Sequence, residues 1–235
     1  MAEFLKPGDP FRVALLVFPG ITQLDLTGPQ EVFSKVPGVK VRLYWKDLTP
    51  VTSASGLQLI PTSTFQDDAP IDLLCVPGGP GQVELMADDE VLRFLRRTAE
   101  TSRFITSVCT GALLLGAAGL LRGYRSTTFW MAMENLSVLG AIPVHERVVC
   151  DRNRITGAGV TAGIDFALTV IAQLWGEAVA RAVQLGLEYD PQPPFTAGSP
   201  RTAHPDEVQK QQDRMRSFRE RRLAASKAAA ARLNP

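Results

Sequence analysis

Apolar runs of strand length alternate with helix-like segments from the start of the chain to about Leu187. Strand patterns cover residues 11–18, 39–45, 72–77 and 104–108, and two short strands, 145–150 and 154–156, flank a turn. Helical patterns cover residues 88–101, 111–121, 130–139, 161–175 and 177–187, and a further helix is predicted to open at Thr27. Strands that alternate with helices predict an α/β fold with a largely parallel sheet covered on both faces. Sites in such sheets lie at the carboxyl ends of the strands.

A loop-like segment separates this body from the C-terminus. Residues 189–200 are too rich in Pro and Gly to form a helix or strand, and a helical pattern rich in Ala, Arg, Gln and Lys follows. We therefore predict an N-terminal arm over residues 1–10 and an α/β domain over residues 11–188. Residues 189–235 are predicted to form a connector and a basic C-terminal helix.

The net charge of +1 conceals a difference between the body and the tail. Residues 201–235 carry 9 Lys and Arg against 4 Asp and Glu, whereas residues 1–200 carry 16 against 20. The acidic residues interleaved in the tail favour a helix docked on the body or on a partner subunit over a nucleic-acid-binding arm. Neither nucleic acid nor an acidic membrane is indicated as a partner.

The composition is that of an ordinary globular protein, with 45% hydrophobic and 21% charged residues. The longest apolar stretch, 109–121, is shorter than the ~20 residues that span a bilayer, and the N-terminus lacks the apolar core of a signal peptide. Three cysteines without a CxxC pair disfavour both a disulfide framework and a zinc site. The sequence therefore predicts a cytoplasmic protein with reduced thiols and no metal.

Cys109 stands between an apolar strand and a helix of small residues. A strand-to-helix elbow exposes its central side chain above the sheet, and a helix N-terminus favours a thiolate over a thiol. Gly111 would let this turn close without a side-chain clash. We predict that Cys109 is a nucleophile, whereas Cys75 and Cys150, each inside an apolar strand, are predicted to be buried structural cysteines.

The glycine pair that ends Pro77-Gly-Gly79 is a second candidate feature. Consecutive glycines let the backbone approach a reacting centre and direct N–H groups at developing negative charge. Gly79 could form an oxyanion-hole-like pocket with the N–H of Thr110. The alternative is that Pro-Gly-Gly is only a turn.

Asp25 lies between two leucines just before the first predicted helix. It could cap that helix, or it could be a general acid–base whose pKa is raised by apolar surroundings. The sequence leaves both roles open. A Cys-His dyad would require His145 to fold back beside Cys109, and His204 lies in the tail. Without such a dyad, Asp25 is the leading proton carrier.

These motifs resemble the ThiJ/PfpI superfamily, relatives of the class I glutamine amidotransferases. The resemblance covers about residues 11–188, and it includes Leu24–Phe33, the Pro77–Gly79 turn and the Cys109 elbow. It implies a flavodoxin-like, three-layer α/β/α sandwich with a mostly parallel central sheet and a C-terminal helical tail.

Within the superfamily, Val108-Cys-Thr-Gly111 and Gly157–Phe166 are most similar to the bacterial branch that hydrates isonitriles. That similarity implies a hydro-lyase that needs no cofactor, takes a small-molecule isonitrile and works as a homodimer. By position, Cys109 would be the nucleophile, Asp25 the proton carrier and Thr110 a supporting hydrogen-bond donor.

One position departs from the pattern of that branch. Relatives usually carry a histidine where this chain has Phe129, which Trp130 follows. Phe129 and Trp130 would therefore line a more apolar substrate pocket than the relatives have.

Two alternatives remain within the superfamily. Glyoxalase-, deglycase- and chaperone-like members more often pair the cysteine with histidine, so Thr110 argues against them. Regulators that bind a ligand carry an additional helix-turn-helix domain, for which the predicted tail is too short.

Overall fold

The computed structural model describes residues 4–233. Residues 1–3 of the predicted arm and 234–235 of the predicted tail lie outside the described residues. The strands are β1 (Phe11–Leu16), β2 (Val39–Trp45), β3 (Val51–Thr52), β4 (Gln58–Leu59), β5 (Ser63–Thr64), β6 (Leu73–Val76), β7 (Phe104–Val108), β8 (Arg125–Ser126), β9 (Ile142–Pro143), β10 (Val148–Asp151) and β11 (Arg154–Gly157).

Helices fill most of the intervals between these strands. They are α1 (Gln23–Ser34), α2 (Gln82–Leu85), α3 (Asp89–Thr101), α4 (Gly111–Ala117), α5 (Met133–Val138), α6 (Ala162–Trp175), α7 (Glu177–Gly186), α8 (Pro205–Arg214) and α9 (Arg216–Leu233), with a 3₁₀ turn at Trp130–Ala132. In the described part of the chain, no helix has both the length and the apolar character needed to cross a bilayer.

A seven-stranded sheet forms the middle layer, in the order β10-β11-β7-β6-β1-β2-β5. Every pair is parallel except β10 with β11, which meet in an antiparallel hairpin. The central strands β6 and β7 are apolar runs without alternation because helices cover both of their faces. Helix α1 packs on α6, and α3 packs on α4. The predicted fold class, a mostly parallel sheet between helices, is confirmed.

The first helix begins earlier than its sequence pattern indicated. Helix α1 starts at Gln23, so Asp25 is in its first turn and Pro29 lies inside the helix rather than near its start. A proline inside a helix removes one backbone hydrogen bond. Pro29 is buried and packs closely on Gly163 of α6, where an added Cβ would meet its ring at 3.1 Å. Tertiary packing therefore outweighs the positional preference of proline.

Cys150 does not belong to the core. Its side chain is exposed, because β10 is an edge strand of the sheet. Only Cys75, in the central strand β6, matches the predicted buried structural thiol.

The tail forms two helices rather than the single helix predicted. Helix α8 has no buried residue, whereas α9 packs on α2, α4 and α5 of its own body. The buried side chains of α9 are Arg222, Ser226 and Ala229, whose i, i+4, i+7 spacing places them on one face. The second helix of the basic tail, α9, is therefore docked on the body and has one arginine in its buried face.

Candidate active site

Cys109 follows β7 at a sharp turn and has a backbone φ of 55°. A residue with a side chain in this left-handed region costs about 1–2 kcal/mol. Two buried hydrogen bonds hold it there: the Cys109 N–H donates to the Gly157 carbonyl at 3.0 Å, and the Cys109 carbonyl accepts the Thr128 hydroxyl at 2.7 Å. The protein thus maintains a strained elbow at this cysteine, a device that clusters at functional sites.

Gly111 allows the elbow to approach the end of the neighbouring strand. A Cβ at this position would lie 1.9 Å from the Val76 carbonyl oxygen. The prediction that Gly111 avoids a side-chain clash is confirmed, and the close approach places the start of α4 directly over the end of β6.

Asp25 is fully buried in the first turn of α1, and its Oδ2 accepts the backbone N–H of Gly78 at 3.0 Å. Thr22, not Asp25, occupies the N-cap position. Burial raises the pKa of the Asp25 carboxyl to about 7, against the lowering effect of the Gly78 N–H and the Cys109 thiol. Of the two roles left open by the sequence, the helix cap is excluded, and the acid–base role stays a prediction.

The Cys109 thiol is held in its protonated form. Burial first, and then the charge of Asp25, raise its pKa well above 9.0, while the N–H and hydroxyl of Thr110 act in the opposite direction. The helix N-terminus therefore favours the thiolate as predicted, but burial outweighs it. Asp25 and Cys109 form one hydrogen-bonded pair in which the carboxyl titrates before the thiol.

Gly79 has a different partner from the one its sequence context indicated. Its N–H donates to the Thr110 hydroxyl oxygen at 3.0 Å and is therefore engaged, not free to bind an oxyanion. This bond orients the Thr110 hydroxyl, whose proton remains to be donated to the Cys109 sulfur. The structure thus assigns Gly79 a supporting position behind Thr110.

The carboxyl ends of three adjacent strands bring these groups together. β1, β6 and β7 are neighbours in the sheet, and they lead into Asp25, the Gly78–Gly79 turn and Cys109 respectively. His145 does not join them, because it is exposed in the loop before β10 while Cys109 is 5% exposed. Among residues 4–233, no group of three His, Cys, Asp or Glu side chains could hold a metal ion.

Phe129 and Trp130 line a groove between the body and the tail. The groove holds about 700 Å³, and Met131 adds to its inner wall. The connector and α8 form the other wall, with Ala197–Pro200, Ala203, Glu207, Val208, Lys210 and Gln211. Asp25, Cys109 and Thr110 are not part of the lining. Thr128, which holds the Cys109 carbonyl, directly precedes Phe129 in the chain and so links the elbow to the groove wall.

Three residues of this site were missed from the sequence. Gly78 holds Asp25, Thr128 holds the elbow, and Arg222 reaches the region from α9. The Pro-Gly-Gly turn pointed to Gly78 only as a member of a pair, and the Thr127-Thr128 dipeptide carries no signal of its own. No pattern in the tail distinguishes Arg222 from the other basic residues.

The sequence profile of the DJ-1/PfpI family matches residues 11–173. The chain belongs to the DJ-1/PfpI family. Helices α7 to α9 follow the end of that match, so the groove wall formed by the connector and α8 lies outside the region that the DJ-1/PfpI profile describes.

Within the DJ-1/PfpI family, the chain is similar over nearly its full length to isonitrile hydratase of Pseudomonas putida. The two are 52% identical over 223 residues, which are 95% of this chain and 98% of the relative. A crystal structure of a ThiJ/PfpI family protein from Pseudomonas syringae superposes with a TM-score of 0.91 at 43% identity, covering 94% of this chain and 93% of that one.

The fold extends to more distant DJ-1/PfpI proteins. The crystal structure of Drosophila melanogaster DJ-1beta superposes with a TM-score of 0.69 at 23% identity. That match covers 98% of the DJ-1beta chain but 76% of this chain. About a quarter of this chain is therefore additional to the fold shared with DJ-1beta.

Proposed function

We propose that this protein is an isonitrile hydratase, a hydro-lyase that adds water to R–N≡C and releases an N-substituted formamide. The observation that carries the proposal is the buried pair of Asp25 and Cys109 at a strained elbow. The 52% identity to isonitrile hydratase of Pseudomonas putida supports the same reaction.

The first step forms a covalent bond to Cys109. Asp25, as carboxylate, accepts the thiol proton while the sulfur attacks the terminal carbon of the isonitrile. Asp25 then delivers this proton to the same carbon, which gives a thioimidate, R–N=CH–S–Cys109. A carboxyl with a pKa of about 7 suits both transfers, because it gains and loses a proton readily near neutral pH.

The second step releases the product. Asp25 accepts a proton from water as the water oxygen attacks the thioimidate carbon, and it then passes this proton to the nitrogen. The tetrahedral adduct, R–NH–CH(OH)–S–Cys109, then expels the sulfur, which recovers its proton as the C=O bond forms. The net change is R–N≡C plus water to R–NH–CHO. The Thr110 N–H and hydroxyl stabilise negative charge on the sulfur when it attacks and when it leaves.

Phe129 and Trp130 are proposed to select the substrate's R group. They present apolar surface to the groove next to the elbow, so hydrophobic R groups are the expected substrates. Phe129 also packs near Gly159, where an added Cβ would lie 3.6 Å from its ring. The aromatic ring is therefore held against the loop that precedes α6.

A homodimer is part of the proposal. The segment around the β3–β4 hairpin exposes three large apolar side chains, Leu48, Leu57 and Ile60, each at least half exposed. Exposed large apolar side chains on neighbouring segments support an interface at this position. Light scattering coupled to gel filtration gives the mass of the particle, and a monomer at micromolar concentration contradicts this part of the proposal.

Turnover of a simple isonitrile tests the proposed function. Purified protein is mixed with cyclohexyl isonitrile, and N-cyclohexylformamide is quantified by gas chromatography. The parent and the Cys150→Ser variant are expected to form the formamide, since Cys150 is exposed on β10. Cys109→Ala is expected to lose activity. No turnover in the parent, or full turnover in Cys109→Ala, contradicts the proposal.

A further inference from the structure

Arg222 is a cation buried on the tail helix α9. It is 3% exposed, although its neighbour Arg221 on α9 is exposed. The Arg222 Nη2 donates to the Met131 carbonyl, and its guanidinium lies over the Phe218 ring, 5.6 Å from the centroid. Within the described part of the chain, its Nε has no hydrogen-bond partner. Among residues 4–233 it forms no ion pair with a carboxylate. Burying a guanidinium is costly, and neither the carbonyl nor the ring supplies a full negative charge to offset it.

The segment that holds the cysteine elbow also holds Arg222. Helix α9 contacts α4, which begins two residues after Cys109, and it contacts α5, which follows the Met131 turn. One turn after Arg222, Ser226 accepts the side-chain amide of Asn135 at 2.9 Å. Met131, the partner of Arg222, lies three residues after Thr128, whose hydroxyl holds the Cys109 carbonyl. Residues 128–131 therefore hold both the Cys109 elbow and Arg222.

The charges of Arg222 and Cys109 interact. Burial, and to a smaller extent the positive charge of Arg219, lower the pKa of Arg222 to about 10. Negative charge on Cys109 acts in the opposite direction. Electrostatic attraction is mutual, so an interaction that favours the guanidinium also favours the thiolate. Asp25 on α1 acts on the thiol itself, and Arg219, one turn before Arg222 on α9, acts on the guanidinium.

We propose that Arg222 is the counter-charge of the Cys109 thiolate and that the C-terminal helix thereby contributes an electrostatic group to the active site. The inference rests on the proposed function in taking Cys109 as the nucleophile. Asp25 removes the thiol proton, and Arg222 stabilises the negative charge that this leaves on the sulfur. The profile match of the DJ-1/PfpI family ends at residue 173, so this group comes from a part of the chain beyond that match.

Alkylation of Cys109 tests the proposal without any isonitrile. Iodoacetamide and iodoacetate, which have similar size and different charge, are each reacted with the protein at pH 8. Modification of the Cys109 peptide is followed by mass spectrometry. The variants are Arg222→Gln, which keeps a donor for the Met131 carbonyl but no charge, and Arg222→Lys, which keeps the charge. Arg221→Gln is the matched control on the same helix.

Arg222→Gln is expected to slow alkylation by iodoacetamide about tenfold, which corresponds to a tenfold smaller thiolate fraction. The ratio of iodoacetate to iodoacetamide rates is also expected to fall, because a cation near the sulfur attracts the anionic reagent. A change in access to the thiol or in its thiolate fraction alters both rates equally and leaves the ratio unchanged. If Arg222 had only a structural role, the ratio in Arg222→Gln would therefore equal that of the parent. Arg222→Lys and Arg221→Gln are expected to keep the parent rate and ratio.

Parent values of rate and ratio in Arg222→Gln overturn the proposal, and so does a loss in Arg222→Lys equal to that in Arg222→Gln. If Arg222→Gln does not fold, Arg222→Met is measured in its place with the same two expectations. If the parent turns over no isonitrile while the ratio falls in Arg222→Gln, the proposed function fails and the role of Arg222 stands.

Discussion

The backbone N–H of Gly78 donates to Oδ2 of Asp25 over 3.0 Å and so fixes the carboxyl beside the thiol. No side chain could occupy position 78 without disturbing this arrangement. An added Cβ would lie 2.5 Å from the Thr110 nitrogen and 2.9 Å from the Asp25 carboxylate. The glycine therefore sets the spacing between the proton carrier and the hydrogen-bond donors of the sulfur.

Gly78→Ala is expected to lower kcat/KM for isonitrile hydration by about 100-fold, because catalysis is sensitive to displacements of about 1 Å in reacting groups. Steady-state formamide formation measures this effect. Gly186→Ala, at the end of α7 where an added Cβ meets nothing within 4 Å, is the matched control and is expected to keep parent activity. Parent kcat/KM in Gly78→Ala would show that the position of Asp25 is not critical.

The pH dependence of the reaction reports the ionisation of Asp25. Below its pKa of about 7 the carboxyl is protonated and cannot accept the thiol proton. The expected profile of kcat/KM therefore rises with pH, about tenfold per pH unit on the acid side, and levels off above about 7. Rates measured over that range in the parent and in Cys150→Ser should coincide. A flat profile in folded protein contradicts the assignment of Asp25.

The raised pKa of Asp25 also has a consequence for stability. Between its ordinary value of 3.8 and about 7, the folded state binds more protons at this group than the unfolded state does. The contribution of Asp25 to stability is thus fully present below about 4 and is lost as pH rises through about 7, with an upper limit of about 4 kcal/mol. Asp25→Asn removes this dependence. Urea unfolding at pH 5 and pH 8 is expected to show a larger gain for the variant at the higher pH.

Equal differences between Asp25→Asn and the parent at both pH values would contradict a buried carboxyl of raised pKa. Cys150→Ser serves again as the control, since its exposed side chain should leave the pH dependence of unfolding as in the parent.

Phe129→His is expected to change substrate preference rather than chemistry. The side chain lines the groove and lies outside the Asp25–Cys109 pair, so a polar ring there should disfavour apolar R groups by about 1–3 kcal/mol, or roughly 10- to 100-fold. The ratio of kcat/KM for an isonitrile with an apolar R group to that for an isonitrile with a polar R group of similar size measures this change. An unchanged ratio would show that the groove does not bind the R group.

The fold and the central chemistry could be predicted because they depend on local patterns. Apolar runs ending at turn residues located β1, β6 and β7, and the elbow around Cys109 followed from a strand, a cysteine and small residues in sequence. The sequence around Asp25 is compatible with two roles, a helix cap or a general acid–base group. Only the burial of Asp25 and its bond to Gly78 support the second.

The remaining features depend on contacts that are distant in the chain. Arg222 is one of several arginines in a short basic segment, and only docking of α9 on α4 and α5 buries it. Gly79 was expected to face the oxyanion, but the Thr110 hydroxyl takes its N–H. Cys150 was expected to be buried because its strand is apolar, and the edge position of β10 exposes it.

Direct detection of the thioimidate tests the central claim most closely. The protein is mixed with excess cyclohexyl isonitrile, quenched in acid within the first turnover, and analysed by intact-mass and peptide mass spectrometry. The account predicts a gain equal to the mass of one isonitrile, located on the Cys109 peptide, and no such gain in Cys109→Ala. Formamide production by a parent protein that never carries this adduct, or an adduct that maps to Cys75 or Cys150, would contradict it.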